Sequence, residues 1–398
     1  MNPADDVRAG FAPSATRWLD HAATTPRPRR VVEAVARFSR EENASVRRGL
    51  YREAEAATAR FEAVRAETAA FVGALSPREI VFTHGTTEGI NLVAAGLARR
   101  ELAPGDEVWA TAMEHHANFL PWQRAAAEAG ARFRVAPLTP EGRLDLAALR
   151  AGLAGSRAKW VAVAWVSNVL GVENPVAEIA AVAHAAGARV LVDGAQGVAH
   201  AAADVAGWDC DFFAFSAHKA YGPMGVGALW GKAELLARTE PLLVGGEMVR
   251  RVRDDGAEWA GVPWRFEAGT QDAAGVVGWG EAMAWWRELP AEARENGDRL
   301  ARLAAARLRD LDGVEVAGPD EGRRGLVSFA VEGIHAHDVA QFLAGRNIAV
   351  RAGRMCAHPL MDRLGHAALT RASFGVGNTD EDVEALADGV RAAREFFG

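Results

Sequence analysis

A lysine stands directly after a short apolar segment that has the length and composition of a strand. The segment is Asp211–Phe215, and Lys219 follows it closely. Burial near a strand lowers the pKa of a lysine amine, and a neutral amine can form a Schiff base with a carbonyl. Ser216 and His218 beside it offer hydrogen-bond donors to a phosphate. Most lysines keep their ammonium group in water instead, so this segment alone leaves both interpretations open.

A second segment has the pattern of an anion cradle. A strand is predicted at Glu79–Thr83, and Gly85, Thr86 and Thr87 then lead into an amphipathic helix. The free amides and the dipole at a helix start both favour phosphate. Simple capping of the helix by threonine is the alternative, and this segment alone does not decide between the two.

A histidine follows a third predicted strand, Glu107–Ala112, in the pair His115-His116. A histidine at the carboxyl end of a strand can act as a ligand, as a base or as a flat surface for stacking. A polar loop histidine is the simpler interpretation. No cysteine or further histidine lies at metal-ligand spacing from the pair, so we predict no metal site here.

Strands and helices then alternate regularly. Strands are predicted at Lys159–Val166, Arg189–Val192 and Asp211–Phe215, with a helix at Val176–Ala186. This alternation predicts a mostly parallel α/β sheet covered on both faces, whose ligands bind at the carboxyl ends of the strands. The polar residues predicted at those ends are Asn168, Asp193, Gln196, Ser216, His218 and Lys219.

The pattern changes after Gly278, where a long helical region is predicted at Glu281–Leu311. Further strands (Gly325–Val331, Ile348–Val350) and helices (Ala336–Gly345, Asp380–Phe397) predict a smaller α+β region. We therefore expect a large α/β domain at residues 21–280 and a small C-terminal domain at 281–398. We expect residues 1–20 to form an N-terminal segment that packs with the small domain.

Composition limits the class of protein. The chain has 398 residues, 49% of them hydrophobic and 24% charged, as expected for a soluble globular protein. The net charge of −7 predicts no binding of nucleic acid, and no apolar segment predicts a membrane span. The only cysteines are Cys210 and Cys356, which argues against a disulfide scaffold and predicts a cytoplasmic location.

The candidate residues are best explained as parts of one cofactor site. A lysine that forms a Schiff base needs an aldehyde cofactor, and a carboxylate such as Asp193 can keep a pyridine nitrogen protonated. A threonine-rich helix start fits a cofactor phosphate, and His115 fits the face of a ring. Together these residues predict pyridoxal 5′-phosphate.

Short sequence motifs along nearly the whole chain resemble those of a known protein family. They are LDHAATT at 19–25, FTHGTTEGINLVA at 82–94, EHHANFLPWQ at 114–123, VSNVLGVENPVAEI at 166–179, VDGAQGV at 192–198, DCDFFAFSAHKAYGPMGVGALWG at 209–231, FEAGTQD at 266–272, RAGRMCAHPLM at 351–361 and RASFGVGNT at 371–379. The chain resembles the fold-type I pyridoxal phosphate enzymes of the class V aminotransferase family. Within that family it resembles the Suf-type (group II) cysteine desulfurases and selenocysteine lyases.

The resemblance implies a role for each cofactor residue. It implies that Lys219 forms the Schiff base, that Asp193 pairs with the pyridine nitrogen and that His115 stacks on the ring. Gln196 is implied to contact the ring oxygen, and Asn168 to support the same region. The implied phosphate ligands are Thr86, Thr87, Ser216, His218 and, from the other subunit of a homodimer, Thr270.

The resemblance also implies the substrate and the reaction. L-cysteine, or L-selenocysteine, is implied to bind through its carboxylate to Arg371, with Asn168 and Arg351 nearby. Lys219 is implied to remove the α-proton. Cys356 is implied to attack the substrate sulfur as a thiolate, which leaves alanine and a persulfide for an acceptor protein. We expect Arg351 and Arg354 to lower the pKa of this thiol, and we expect no function for Cys210.

The chain departs from the family pattern at Tyr51, at Arg354-Met355 and at Gln271-Asp272, where relatives usually carry His, His-His and Pro-Asn. These departures concern the substrate or the sulfur acceptor rather than the cofactor. The sequence is therefore consistent with three functions. The first is a cysteine desulfurase that supplies sulfur for iron–sulfur clusters or other products. The second is another pyridoxal phosphate enzyme, such as a C–S lyase, selenocysteine lyase, epimerase or aminotransferase. The third is a persulfide carrier or assembly scaffold without activity.

Overall fold

The computed structural model describes residues 7–398, and its largest element is a seven-stranded sheet. We label its strands β1 (Ile80–Thr83), β2 (Glu107–Thr111), β3 (Arg132–Ala136), β4 (Ala158–Ala164), β5 (Arg189–Asp193), β6 (Phe212–Ser216) and β7 (Gly227–Gly231). Their order across the sheet is β1-β7-β6-β5-β4-β2-β3. Strands β2 to β6 run parallel, and β7 runs antiparallel to its neighbours β1 and β6. The predicted mostly parallel sheet is confirmed.

The sheet is buried on both faces because its strands are apolar at nearly every position. In β6, Phe213 and Phe215 belong to the core on one face, whereas Phe212 and Ala214 belong to the core on the other. Successive strand residues point to opposite faces, so a continuous apolar run is required where helices cover both. This burial leaves only the strand ends open to a ligand.

Helices surround the sheet and build the C-terminal region. They span Arg29–Arg37, Arg52–Val72, Thr86–Val93, Leu120–Glu128, Leu146–Leu153, Val176–Ala185, Ala233–Arg238, Ala273–Glu288, Ala291–Arg309, Ala336–Ala344, His358–Leu364 and Asp380–Phe397. The predicted long helical region Glu281–Leu311 is helical over most of its length but is interrupted once. The chain forms two helices that are separated at Leu289-Pro290, because proline lacks the amide hydrogen that would continue the first helix.

A four-stranded antiparallel sheet lies in the C-terminal region. Its strands, in order across the sheet, are Val314–Ala317, Leu326–Val331, Leu369–Ser373 and Arg351–Gly353. The sheet packs on the helices through a separate apolar core. The edge strand Arg351–Gly353 leads directly into the loop that carries Cys356, so this sheet positions the cysteine.

The N-terminal segment contacts the same region. Arg17–Trp18 pairs in parallel with Ile348–Ala349, and Leu19 is buried in the core of the four-stranded sheet. The division into domains at 1–20, 21–280 and 281–398 stays a prediction, and residues 1–6 lie outside the described residues. Within residues 7–398, none of the helices combines the length and the hydropathy that a membrane crossing requires.

A buried arginine connects the two sheets. Arg323 is fully buried, and its guanidinium donates to the carbonyl oxygens of Leu170, Leu326, Ala317 and Gly318 at 3.2, 3.3, 3.1 and 3.0 Å. Replacing Arg323 with alanine removes this donor from the carbonyl groups of Leu170, Leu326 and Ala317, whereas the Gly318 carbonyl keeps a bond from Arg309 at 3.4 Å. We expect Arg323→Ala to lower the free energy of unfolding by about 3 kcal/mol, measured by urea denaturation.

The matched control for this prediction is Arg391→Ala. Arg391 is exposed, and its one ion pair within residues 7–398 is with Asp388 on its own helix, so its loss is expected to cost less than about 0.5 kcal/mol. Equal losses for the two variants would contradict the structural role of Arg323.

Candidate active site

A cavity of about 200 Å³ lies at the carboxyl ends of β4, β5 and β6. Its walls include the polar residues Thr86, Thr87, His115, Asn168, Asp193, Gln196, Ser216, His218 and Lys219. The structure therefore brings together all the cofactor residues predicted from the sequence except Thr270, which is exposed and lines no part of this cavity.

One end of the cavity is built as an anion cradle. The Thr86 amide donates to Ser216 Oγ at 2.8 Å, and the two hydroxyl oxygens lie 2.7 Å apart. Gly85 has φ of 149°, and a Cβ atom there would lie 3.0 Å from Ser216 Oγ. A side chain at this position would fill the cradle. The helix Thr86–Val93 starts here, so its amides and dipole favour an anion.

His218 completes the polar end of the cavity. Its Nδ1 atom is buried and has no hydrogen-bond partner among the described residues. Burial lowers the pKa of His218 to about 4, and the charge of Lys219 acts in the same direction. The Thr25 amide and hydroxyl both donate to the His218 carbonyl at 3.0 Å, which holds the segment in place. An unpaired neutral imidazole can donate to a bound ligand.

Lys219 and Asp193 are the charged groups deepest in the cavity. Burial lowers the pKa of the Lys219 amine to about 8, and Asp193 acts against this shift. Burial raises the pKa of the Asp193 carboxyl, although the Ala195 amide donates to it at 2.9 Å. A buried carboxylate is stabilised by a cation, and a protonated ring nitrogen would supply one.

The shifted pKa of Lys219 predicts how cofactor uptake depends on pH. The neutral amine is the nucleophile, and its fraction grows as the pH rises through about 8. We expect the rate at which the apoprotein takes up pyridoxal phosphate to rise with pH and to level off above about 8 to 9. Stopped-flow absorption measures this rate.

The control for that measurement is a blocked lysine, whose amine has the ordinary pKa of about 10.4. Its reaction with pyridoxal phosphate is expected to keep accelerating up to about pH 10. A protein profile that follows the blocked lysine would contradict the shifted pKa of Lys219.

His115 forms a wall of the cavity. Its Nδ1 accepts a hydrogen bond from the Ala117 amide at 3.0 Å, which places the ring proton on Nε2. Burial lowers the pKa of His115 to about 4, and the charges of Lys219 and His116 add to the effect. A neutral ring in a fixed orientation suits stacking on an aromatic cofactor.

Glu114 supports this wall, a role that was not predicted from the sequence. Its buried carboxyl accepts from the Thr111 hydroxyl, from Asn118 Nδ2 at 2.6 Å and from the Ala164 amide at 2.9 Å. Burial raises the pKa of Glu114 to about 8. The carboxyl thus ties the turn that carries His115 to strand β4. The sequence contains one signal for this supporting role, which is a carboxylate directly after an apolar strand.

A second cavity, of about 660 Å³, continues outward from Lys219 and is lined by Arg351, Arg371 and Cys356. Arg371 is buried, and it donates to the Asn168 carbonyl at 2.8 Å and to Asp20 at 3.3 Å. Arg371 Nε is buried without a hydrogen-bond partner in the part of the chain that the structure describes. Arg371 thus retains a free donor for a ligand.

Asp20 is a further residue that the sequence analysis did not single out. Its carboxylate accepts from Arg351 at 2.8 Å and from Arg371 at 3.3 Å, so it joins the two guanidinium groups. Burial lowers the pKa of Arg371 to about 10, and Asp20 acts against that shift. Asp20 therefore keeps a buried cation charged and oriented.

The loop that carries Cys356 has an unusual backbone. Met355 and Cys356 have φ of 48° and 52°, in the left-handed region that side chains rarely adopt. Asn168 Nδ2 donates to the Met355 carbonyl at 2.7 Å, and the His116 amide donates to the Cys356 carbonyl at 2.7 Å. These bonds hold the exposed Cys356 thiol in one place. The role of His116 was missed because it depends on a contact across the fold.

Each arginine near Cys356 is paired with a carboxylate. Arg351 pairs with Asp20, and Arg354 pairs with Asp362. These carboxylates compensate part of the positive charge that we expected to stabilise the thiolate. The effect of these arginines on the reactivity of Cys356 stays a prediction.

The remaining sequence candidates lie away from both cavities. Cys210 is fully buried, and burial raises the pKa of its thiol. Tyr51 is exposed. Gln271 donates to carbonyl oxygens of its own loop, and Asp272 caps the helix Ala273–Glu288 through the Gly275 amide at 2.8 Å. Residues 7–398 contain no group of side chains arranged to hold a metal ion.

Comparisons of sequence identify the family of the chain. The family profile described as aminotransferase class V matches residues 17–386. The chain is 45% identical over 385 residues to a cysteine desulfurase of Cronobacter sakazakii, which covers 96% of this chain and 94% of that protein. It is 44% identical over 382 residues to a probable cysteine desulfurase of Halalkalibacterium halodurans, with the same two shares.

Comparisons of structure lead to the same family. The cysteine desulfurase CsdA of Escherichia coli, solved in an S-sulfonic acid form, has a TM-score of 0.92 and 40% identity over 100% of both chains. The apo cysteine desulfurase of Thermococcus onnurineus NA1 has a TM-score of 0.93 and 36% identity over 99% of both chains. The chain therefore belongs to the class V aminotransferase family and, within it, to the group of the cysteine desulfurases.

Proposed function

We propose that this protein is a pyridoxal phosphate-dependent cysteine desulfurase. It converts L-cysteine to L-alanine and transfers the sulfur to Cys356 as a persulfide. One observation supports this proposal above the others: the buried amine of Lys219 and the exposed thiol of Cys356 line the same cavity. The cysteine desulfurases among its relatives, at 43–45% identity, support the same reaction.

The residues of the inner cavity fit pyridoxal phosphate. The unpaired His218 Nδ1 and the cradle at Gly85 suit a phosphate, and the desolvated carboxyl of Asp193 suits a protonated ring nitrogen. Lys219 would hold the aldehyde, and His115 would cover the ring. When bound, pyridoxal phosphate supplies an electron sink that stabilises negative charge on the α-carbon of an amino acid.

The outer cavity fits the amino acid substrate. The free Nε donor of Arg371 is placed to bind the carboxylate of L-cysteine, with Asn168 and Arg351 beside it. Lys219 would take the proton from the α-carbon, because its pKa of about 8 leaves a usable fraction of neutral amine near neutral pH. The fixed position of Arg371 would orient the substrate sulfur outward.

Cys356 would act on that sulfur. Its thiolate forms a bond to the substrate sulfur while the Cβ–Sγ bond of the substrate breaks. The carbon fragment takes up protons and leaves as alanine, and the sulfur stays on Cys356 as a persulfide. The hydrogen bonds to Met355 and Cys356 keep the thiol in place for this attack.

The experiment that tests this function is an assay with L-cysteine and a reductant, in which alanine and sulfide are both quantified. The wild-type protein is expected to form both in equal amounts. Cys356→Ala is expected to lose both products while it keeps the visible absorption of the bound cofactor. Cys210→Ala is the control and is expected to retain both, because Cys210 is buried and distant from the cavities.

Other outcomes would favour the other functions. Alanine formation that survives in Cys356→Ala would favour a C–S lyase or selenocysteine lyase, and amino transfer to a keto acid would favour an aminotransferase. A colourless protein with no product would favour a persulfide carrier or scaffold.

We also propose a homodimer in the cytoplasm. Thr270 is exposed and lines neither cavity, which suits a residue that completes the partner's site. The apolar side chains of Leu242, Leu243 and Val244 are 40%, 50% and 66% exposed, which suits a covered interface. The two free cysteines support a reducing compartment.

A further inference from the structure

The lysine and arginine side chains that line the outer cavity have no acidic side chain of residues 7–398 beside them in the lining. These side chains are Lys219, Arg351, Arg354 and Arg371. No aspartate or glutamate of the described chain is among the lining residues of the cavity. Asp20 pairs with Arg351 and Arg371 but does not itself line the cavity. A concave wall with one sign of charge concentrates ligands of the opposite sign. The cavity therefore favours anions along its whole length.

Arg354 is a second arginine of the outer cavity, closer to the surface than Arg371. Its side chain is 34% exposed, and it pairs with the exposed carboxylate of Asp362. Its Nε atom is buried and lacks a hydrogen-bond partner within residues 7–398, although the side chain also donates to the His358 carbonyl at 3.3 Å. The exposed part of the Arg354 guanidinium lines the cavity wall, where it can meet an anion.

Arg354 and the reactive thiol belong to one tight turn. The Ala357 amide donates to the Arg354 carbonyl at 2.9 Å, and this bond closes the turn around Cys356. The left-handed backbone at Met355 and Cys356 fixes how the turn presents both side chains. Arg354 and Cys356 therefore line the outer cavity side by side.

Arg354 and Arg371 form two separate anion positions in this cavity. Arg371 is 3% exposed and deep, whereas Arg354 is at the outer wall. The proposed function uses Arg371 for the carboxylate of the amino acid substrate. The exposed part of the Arg354 guanidinium is not needed for that step, so it is available to a second anionic molecule.

We propose that Arg354 binds the carboxylate of a small thiol that accepts sulfur from Cys356. This inference rests on the proposed function, because it needs the persulfide. The acceptor thiolate forms a bond to the outer sulfur of the persulfide, and the bond between that sulfur and Cys356 Sγ breaks. The acceptor leaves as a persulfide and Cys356 returns as a thiolate, so no external oxidant or reductant is required.

The cavity suits a small acceptor. Its volume of about 660 Å³ is in the range that binds small molecules. The side chains of His335, His337 and His358 also line it and offer further hydrogen-bond donors. An anionic thiol is attracted by the charge, whereas a cationic thiol is repelled.

The first test does not require the persulfide. Cys356 is alkylated with iodoacetate, which is anionic, and separately with iodoacetamide, which is neutral. The rate with iodoacetate is divided by the rate with iodoacetamide, and this ratio is compared with the same ratio for N-acetylcysteine. We expect the ratio to fall about fivefold in Arg354→Gln and to rise in Asp362→Asn, which frees the guanidinium. A change in thiol reactivity affects both reagents and cancels in the ratio.

The matched control is Arg363→Gln. Arg363 lies on the same helix as Asp362, but it is exposed and donates to the Pro359 carbonyl rather than lining the cavity. Its ratio is expected to equal that of the wild type. Cys210 is fully buried, and peptide mass spectrometry assigns the alkylated residue. Equal ratios in all four proteins would overturn the inference.

The second test follows the persulfide itself. The protein is loaded with L-cysteine, freed of substrate and mixed with 3-mercaptopropionate, 2-mercaptoethanol or cysteamine at equal thiolate concentrations. Intact mass spectrometry follows the loss of the added sulfur. We expect the anionic thiol to react fastest, by about fivefold over the neutral one, and this preference to be lost in Arg354→Gln and at high salt.

Different results would contradict the proposed function and the proposed acceptor site. Absence of a persulfide after loading would contradict the proposed function and remove this acceptor step with it. If the persulfide forms normally but its sulfur is lost to all three thiols at the same rate, only the proposed acceptor site is overturned.

Discussion

Replacing Lys219 with alanine is expected to lower the rate of alanine formation from L-cysteine by about 10³-fold or more. Lys219 would both hold the cofactor aldehyde and move the α-proton, so one substitution removes two functions. Its burial and its pKa of about 8 are the physical basis of both. Borohydride reduction, which fixes the cofactor to Lys219 in the wild type, is expected to fix none in the variant.

The chain offers a matched control for this prediction. Lys232 stands outside both cavities and pairs with Asp209 at 2.7 Å and Asp211 at 3.1 Å. Lys232→Ala is expected to keep the rate within about twofold and to retain the cofactor after reduction. Cofactor that stays fixed to the Lys219→Ala protein would show that another amine carries it.

The second large effect is expected from Asp193→Asn, which keeps the size of the side chain and removes its charge. An amide cannot hold a proton on the ring nitrogen, so kcat/KM for L-cysteine should fall by about 10²- to 10³-fold. The Ala195 amide can still donate to the side-chain oxygen, which should preserve the local fold. The absorption spectrum of the bound cofactor reports the change at the ring directly.

The control for Asp193→Asn is Asp211→Asn. Asp211 is also buried and lies just before β6, where it accepts from the Val190 amide at 2.7 Å and from His184 at 2.8 Å. It lines neither cavity. This variant is expected to lose stability but to keep kcat/KM within about twofold. Equal losses of activity in both variants would argue against a specific role for Asp193.

The main elements of the fold could be predicted from local patterns. Strands β5 and β6 were predicted because continuous apolar runs between turn residues have little alternative to a buried strand. The break at Leu289-Pro290 was missed, although proline is a strong local signal, because the helical pattern continues on both sides of it. The bond from Arg323 to the Leu170 carbonyl could not be predicted, since these two residues are distant in sequence.

The candidate site was predictable where residues follow strands of one sheet. Asp193 and Ser216 each end a parallel strand, and parallel strands end at the same edge. Residues that support the site from other elements were missed. Asp20 meets Arg351 and Arg371 from the N-terminal segment, and His116 reaches the Cys356 loop across the cavity. Such contacts depend on the packing of the folded chain rather than on local sequence.

The central claim is that sulfur passes from L-cysteine to Cys356, and the location of the transferred sulfur tests it most directly. The protein is mixed with stoichiometric L-cysteine labelled at sulfur, trapped with an alkylating reagent, digested and examined by mass spectrometry. The account predicts one labelled sulfur on the Cys356 peptide for each alanine formed, and none on Cys210. Alanine formed with no labelled sulfur on Cys356 would contradict it.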